Sequence, residues 1–241
     1  MNRSRDESIA TKVKKRITRR PDKTIWSFAD FSDLDPTAVA AALSRLAKHG
    51  DLHRVRRGIY HHPRNTAFGA SRPDPAVVAE TMFRNRRSVP IRGHNHLGLT
   101  TQVSNEITRA VDWPTRVKPI RGVNIRTVTR PLSRQKGINE SERAALDALR
   151  SLRRIPDTTT VDTLRRIKSL IRTGILEPAR LARFASAEPP RVRALVGALV
   201  ESAGCRNSAI DALRTSLNPL TTYRIRGIHQ VLPNAATWHV K

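Results

Sequence analysis

One helix in this chain is delimited at both ends by its own residues. Asp35 has the short acceptor side chain of an N-cap, Pro36 suits the first helical position, and Gly50 supplies the stop. Between them Val39, Leu43 and Leu46 form an apolar stripe. The opposite face carries Thr37, Ala41, Ser44 and Lys48, with Arg45 alongside. After Gly50 the period changes. In "DLHRVRRGIYHHP" the strand-type residues Leu52, Val55, Ile59 and Tyr60 flank Arg56-Arg57-Gly58, where Gly58 can supply the positive φ of a tight turn. Upstream, Ile9, Val13 and Ile17 share one face of a first helix whose other faces are basic, and Pro21 ends it. The run "TIWSFADFSDL" places Trp26, Phe28, Phe31 and Leu34 around a short second helix. Helix, short helix, capped helix and basic hairpin is the order of a winged helix-turn-helix, expected over residues 1–63.

In that architecture the capped helix enters the major groove, and cations of the hairpin neutralise phosphate. A groove-reading helix needs small or polar outward residues so that it can approach base edges. Thr37, Ser44, Arg45 and Lys48 are therefore the candidate groove-facing residues. Arg54, Arg56 and Arg57 are the candidate backbone contacts. The expected partner is double-stranded DNA.

Charge supports a polyanionic partner but does not point to this segment alone. The 241 residues include 45 Lys+Arg and 20 Asp+Glu, a formal net charge of +25. Residues 1–70 contribute +8, residues 71–139 +9, and residues 140–241 +8. The basic character is spread evenly, so it is not a tail on a neutral body.

Residues 64–75 are polar with two prolines and read as a linker, which leaves 76–241 as a second region. That region opens with a helix in "PAVVAETMFRN", a short strand in "SVPIRG" and a short helix or turn in "HNHLGLT". Three strand-like runs follow, "NEITRAVDW", "TRVKPIRG" and "VNIRTVTRP", predicting a small antiparallel sheet. Arg109, Arg116, Lys118, Arg121, Arg126 and Arg130 alternate with apolar residues there, so one face or edge should be basic. From Asn139 onward the patterns are helical, with Asn139 or Ser141 as a cap and Pro189-Pro190 opening a later helix. The fold class expected is helix-rich α+β.

A single Cys excludes an internal disulfide and metal sites built on two cysteines. It suits a reducing compartment, and the expected location is the cytoplasm. No apolar run approaches a membrane span, and the N-terminus lacks the apolar stretch of a secretory signal. Histidines cluster at His49, His53, His61 and His62, and again at His94 and His96, without a third ligand at suitable spacing. They read as turn and surface residues, with no metal. Phosphate-loop, dinucleotide and nucleophile-elbow motifs are missing, Cys205 has no evident base, and Glu140 and Glu142 stand in a helix's first turn. No catalytic residues and no cofactor are expected.

The stretch "AVAAALSRLAKHGDLHRVRRGIYHHP", followed by "GHNHLGLTTQVSNEITRAVDW", resembles the AbiE-type antitoxins of type IV toxin–antitoxin systems and their relatives. "LGLTTQV" (97–103) is the most distinctive piece, and Ser104 stands where a proline is expected. "PPRVRALVGALVESAG" and "LRTSLNPLTTYRI" resemble a less characterised branch of the same group. The resemblance implies an N-terminal winged helix that represses its own operon at promoter repeats. It also implies a C-terminal antitoxin region opposing a nucleotidyltransferase-like toxin encoded alongside. By position it sets Ser44, Arg45 and Lys48 on the recognition helix and Arg56 and Arg57 on the wing.

Two further expectations stand beside this one. The chain is alternatively an interaction protein that neutralises an acidic partner without specific DNA binding, or a solitary transcriptional regulator. Helix-turn-helix proteins often pair over two half-sites. A dimer on DNA is compatible with the sequence, although no heptad seam specifies one.

Overall fold

The computed structural model describes residues 7–21, 24–84, 86–91, 94–102, 106–115, 117, 120, 122–132 and 137–241. Its first elements are α1 (Ile9–Thr18), β1 (Ile25–Ser27), a 3-10 turn (Phe28–Phe31), α2 (Pro36–Lys48), β2 (His53–Arg56) and β3 (Ile59–His61). The strands form an antiparallel sheet in the order β1-β3-β2. This is the expected winged helix, with one strand more than the sequence patterns revealed. Ile25–Ser27 was expected within the short helix; three residues cannot display a period of two. What makes them a strand is pairing, with Trp26 opposite Tyr60 and Ser27 opposite Ile59.

The sheet is apolar on both faces. Trp26 and Tyr60 point to one side, where Val13, Ile17, Phe31, Val39, Leu43 and Leu52 complete a first core. Trp26 and Phe31 stack there with ring centroids 5.5 Å apart. Ile25 and Ile59 point to the other side, because successive strand residues alternate. They meet Val78 of α3 (Pro75–Phe83), Ile120 and Val123 in a second core.

That second core moves the domain boundary. A winged helix ending at residue 63 would leave Ile25 and Ile59 against water. The first compact unit instead comprises Met1–Ser88, Asn105–Arg109 and Pro114–Val128. Residues 64–75, expected as a linker, contain a second hairpin of β4 (Asn65–Thr66) and β5 (Gly69–Ala70). Arg64 ties it down by donating from Nε and Nη2 to the Pro21 carbonyl at 3.1 and 2.7 Å.

A third sheet runs in the order β6 (Ser88–Ile91), β7 (Glu106–Val111) and β8 (Asn124–Thr129), with a 3-10 turn at His94–Leu97. The run "TRVKPIRG" forms no strand among its described residues. Ile120 makes only an isolated bridge to Val123, and the prolines around it lack the N–H a ladder needs.

The second unit comprises Val89–Ser104, Ala110–Trp113 and Thr129–Lys241. Its helices are α4 (Glu140–Arg150), α5 (Thr160–Arg172), α6 (Pro178–Ala185), α7 (Pro190–Ser202) and α8 (Ser208–Thr215). Asn139 caps α4 in a reciprocal box with Glu142, whose carboxylate is buried and also pairs with Arg180 at 3.1 Å. α7 is buried from Ala194 through Val200 and forms the axis of this core. The chain end packs on it: Trp238 lies over Gly197, and Tyr223 bridges Val240. The fold is helix-rich α+β. Among the described residues, no helix is long and apolar enough to cross a membrane.

Candidate nucleic-acid interface

The seven residues singled out in the sequence are all exposed. Thr37, Ser44, Arg45 and Lys48 lie on one face of α2, opposite the buried Val39, Ala42 and Leu43. Arg54 and Arg56 lie on β2, and Arg57 stands in the turn to β3. Among the described residues, Lys48, Arg54, Arg56 and Arg57 have no carboxylate partner. All four belong to the first unit, and the wing begins five residues after α2 ends.

Local bonds set the attitude of α2. Asp35 accepts from Ala38 N at 2.8 Å and closes its first turn. Just upstream, both Arg16 terminal nitrogens donate to Asp33, each at 2.6 Å, and Arg16 Nη1 also donates to the Asp30 carbonyl at 2.9 Å. That fork binds α1 to the turn preceding α2 and holds the Asp33 carboxyl at about 2, well below its ordinary range. Arg16 was expected as one more cation of the exposed face. It is a positioning residue, joined to Asp33 across 17 positions that no periodicity could link.

The wing is shaped by its turn. Arg56 pairs with Ile59 across Arg57-Gly58, and Gly58 has φ +80°. The register shifts between Arg54 and Arg56, a bulge that re-aims the strand's side chains. Beside α1, a groove of about 450 Å³ is lined by Lys12, Lys15, Arg16, Arg19 and Arg20, with Glu7 and Asp33. Arg19 and Arg20 have no carboxylate partner among the described residues. The basic surface of this unit therefore extends beyond α2 and the wing.

Elsewhere the structure withdraws cations that the sequence offered. Arg109 is buried, stacked over Phe83 with its guanidinium 5.6 Å from the ring centre, and donates to Ser88 Oγ. Arg130 pairs with Asp147 at 3.1 Å, and the exposed Arg126 stands 3.8 Å from Glu106. Of the six cations expected to make the sheet basic, Arg109 and Arg130 are thus engaged internally; Arg116, Lys118 and Arg121, like Val103 and Ser104 of the distinctive motif, lie outside the described residues. In the second unit Glu142, Asp162, Glu188 and Glu201 each engage an arginine: Arg180, Arg165, Arg150 and Arg214. Arg153, Arg154, Arg206, Arg224 and Arg226 remain exposed there.

His61 also departs from expectation. It was grouped with the surface histidines, yet only 1% of its surface is accessible, and neither ring nitrogen has a hydrogen-bond partner among the described residues. Burial, with His53 and His62 nearby, lowers its pKa. Among the described residues, no group of three His, Cys, Asp or Glu side chains is arranged to hold a metal.

The N-terminal unit is a winged-helix module by element order, sheet order and caps. Residues 12–177 match the model of a family of unknown function, DUF6088, and the chain belongs to that family. No curated protein matches it. Among solved structures it is similar to the crystal structure of the RV2827C protein from Mycobacterium tuberculosis. The two share 13% identity over 88% of this chain and 85% of that one, with a TM-score of 0.51. At that identity the likeness is one of fold.

Proposed function

We propose that this protein binds duplex DNA through its winged helix and acts without catalysis, as a repressor of its own promoter in the cytoplasm. The observation that carries the reading is the set Lys48, Arg54, Arg56 and Arg57, without a carboxylate partner among the described residues and on two adjoining elements of one small unit. A helix face of Thr37, Ser44 and Arg45 adds groups able to meet base edges, while the wing and the α1 groove add phosphate contacts. Sequence preference then comes from α2, and salt-dependent affinity from the cations around it.

The antitoxin part of the proposal rests on the resemblance carried by residues 97–103 and the C-terminal patches. In that role the helical second unit opposes a nucleotidyltransferase-like toxin. A non-specific neutraliser of an acidic protein is the competing reading, favoured by exposed arginines in the second unit beside the exposed apolar Leu220.

The test is binding to the region upstream of its own gene, with footprinting, at several salt concentrations. A protected site and tighter binding than to unrelated duplexes are expected. Equal affinity for all duplexes with no footprint overturns the repressor reading. Expression of the neighbouring gene with and without this chain tests the antitoxin part, through growth.

A further inference from the structure

The β4–β5 hairpin presents the most exposed aromatic side chain among the described residues. Phe68 sits at its tip with 102% relative accessibility. A lone exposed apolar residue is ordinary; its mounting here is not. Thr66 Oγ1 donates to the Gly69 carbonyl at 2.7 Å and accepts from Phe68 N at 3.2 Å, so the tip's backbone is fixed. At the stem, Ser71 Oγ accepts from Arg64 N at 2.8 Å, and the Arg64 fork holds Pro21. The ring is held out on a braced stalk, fully exposed among the described residues.

The hairpin itself is cationic. Residues 64–72 contain Arg64 and Arg72 and no acid. Pro21, where the stem is fastened, directly follows Arg19 and Arg20, which have no carboxylate partner among the described residues. An aromatic ring among cations on a nucleic-acid-binding unit matches the two chemical faces of DNA, apolar base planes and anionic phosphate. The same charge disfavours an apolar protein patch as occupant, since only the small Ala67 and Ala70 adjoin Phe68 in the hairpin and they add little apolar area to such a contact. Reach is adequate. From the wing turn at Gly58 to Thr66 is eight residues, at most about 28 Å when extended, less than one helical turn of B-DNA.

We propose that the β4–β5 hairpin is a second DNA contact, in which the Phe68 ring wedges between bases of the duplex held by the winged helix. Arg64 and Arg72 neutralise the phosphates on either side. The proposal rests on the DNA-binding reading given above and adds to it a base contact outside α2 and the wing.

The experiment compares the full chain with Phe68→Ala and Phe68→Trp on a duplex from the region upstream of its gene. Phe68→Ala is expected to weaken binding roughly five- to 150-fold, the range for losing one stacked base, without changing the salt slope because no charge is removed. Wild type should make a local thymine hyper-reactive to permanganate, a sign of unstacking, and Phe68→Ala should abolish that. Phe68→Trp should retain affinity, with its emission quenched on binding. If wild type binds no duplex, the DNA reading and this proposal fall together. If wild type binds and Phe68→Ala matches it in affinity and thymine reactivity, the proposal alone is overturned. It is equally overturned if Phe68→Ala leaves DNA binding intact but alters self-association in sedimentation, which makes the tip a protein contact.

Discussion

The ring of Phe28 lies directly against the wing turn, 3.2 Å from where a β-carbon on Gly58 would stand. Gly58 is therefore required twice, once by its φ of +80° and once by the ring beneath it. The contact joins the 3-10 turn before α2 to the wing after it, so the two halves of the proposed interface share a support. Gly58→Ala is expected to destabilise the protein by about 1–2 kcal/mol from the left-handed backbone alone. Calorimetry reads that loss. Because the arginines stay but their mounting shifts, DNA affinity should fall as well. Unchanged affinity would mean that the wing does not touch the duplex.

Charge and shape should separate on the interface itself. Arg56→Ala with Arg57→Ala removes two of the proposed phosphate contacts, so the slope of log affinity against log salt should shrink by about 2 for every duplex alike. Changes at Ser44 or Arg45 should instead alter the preferred sequence and leave that slope nearly intact. Competition with a randomised duplex pool, sequenced after selection, reads the second effect. A wing variant with unchanged affinity would remove Arg56 and Arg57 from the interface.

In the second unit the corresponding close approach is Gly197 beneath Trp238, where an added β-carbon would lie 2.1 Å from the indole. Gly197→Ala must displace Trp238, and with it the Trp238 Nε1 donation to Glu201 at 2.8 Å. Overpacking of this kind costs about 1–3 kcal/mol, occasionally more. Thermal unfolding should show the loss, with a change in the near-ultraviolet tryptophan signal. The first unit, which holds Trp26, should still bind DNA.

Stability should also depend on pH in two windows. His61 is buried with a lowered pKa, so the unfolded chain takes up a proton near pH 6.5 while the folded chain resists. Its contribution is complete above pH 6.5 and declines as the pH falls below that value. His61→Leu should flatten this decline in a series of melts. Glu201 behaves as a paired acid. Burial raises its pKa, but donors from Trp238, Asn234 and Arg214 outweigh burial and hold it at about 2. That stabilisation is present above the ordinary carboxylate range and is lost as the pH falls toward 2. Glu201→Gln should reduce the acid limb and leave the His61 limb unchanged; what remains at low pH includes Asp33, which Arg16 also holds at about 2.

Much of the first unit was legible because its signals are local. A cap, its proline and a stop glycine lie within one helix, and a hairpin's turn residues lie within its own few positions. The candidate DNA-facing residues followed from those frames by periodicity. β1 was missed because three residues carry no period, and the β4–β5 hairpin because polar, proline-bearing segments read as loops. The run "TRVKPIRG" forms no strand among its described residues for the opposite reason: alternation was present, but a proline within the run and Pro114 before it lack the N–H a ladder needs.

By itself the sequence determined which segments become helices, where the wing turns and that every region is basic. Tertiary structure decided which of those cations can meet a partner. Arg109 and Arg16 look alike on paper with Arg54 and Arg57, yet Phe83 buries one and Asp33 grips another across 17 positions. It also decided where the first unit ends, because Ile25 and Ile59 leave a second apolar face that only distant residues such as Val78, Ile120 and Val123 can cover. Charge and cap are properties of neighbours along the chain. Exposure and partnership are properties of neighbours in space, and the chain's periodicity does not encode them.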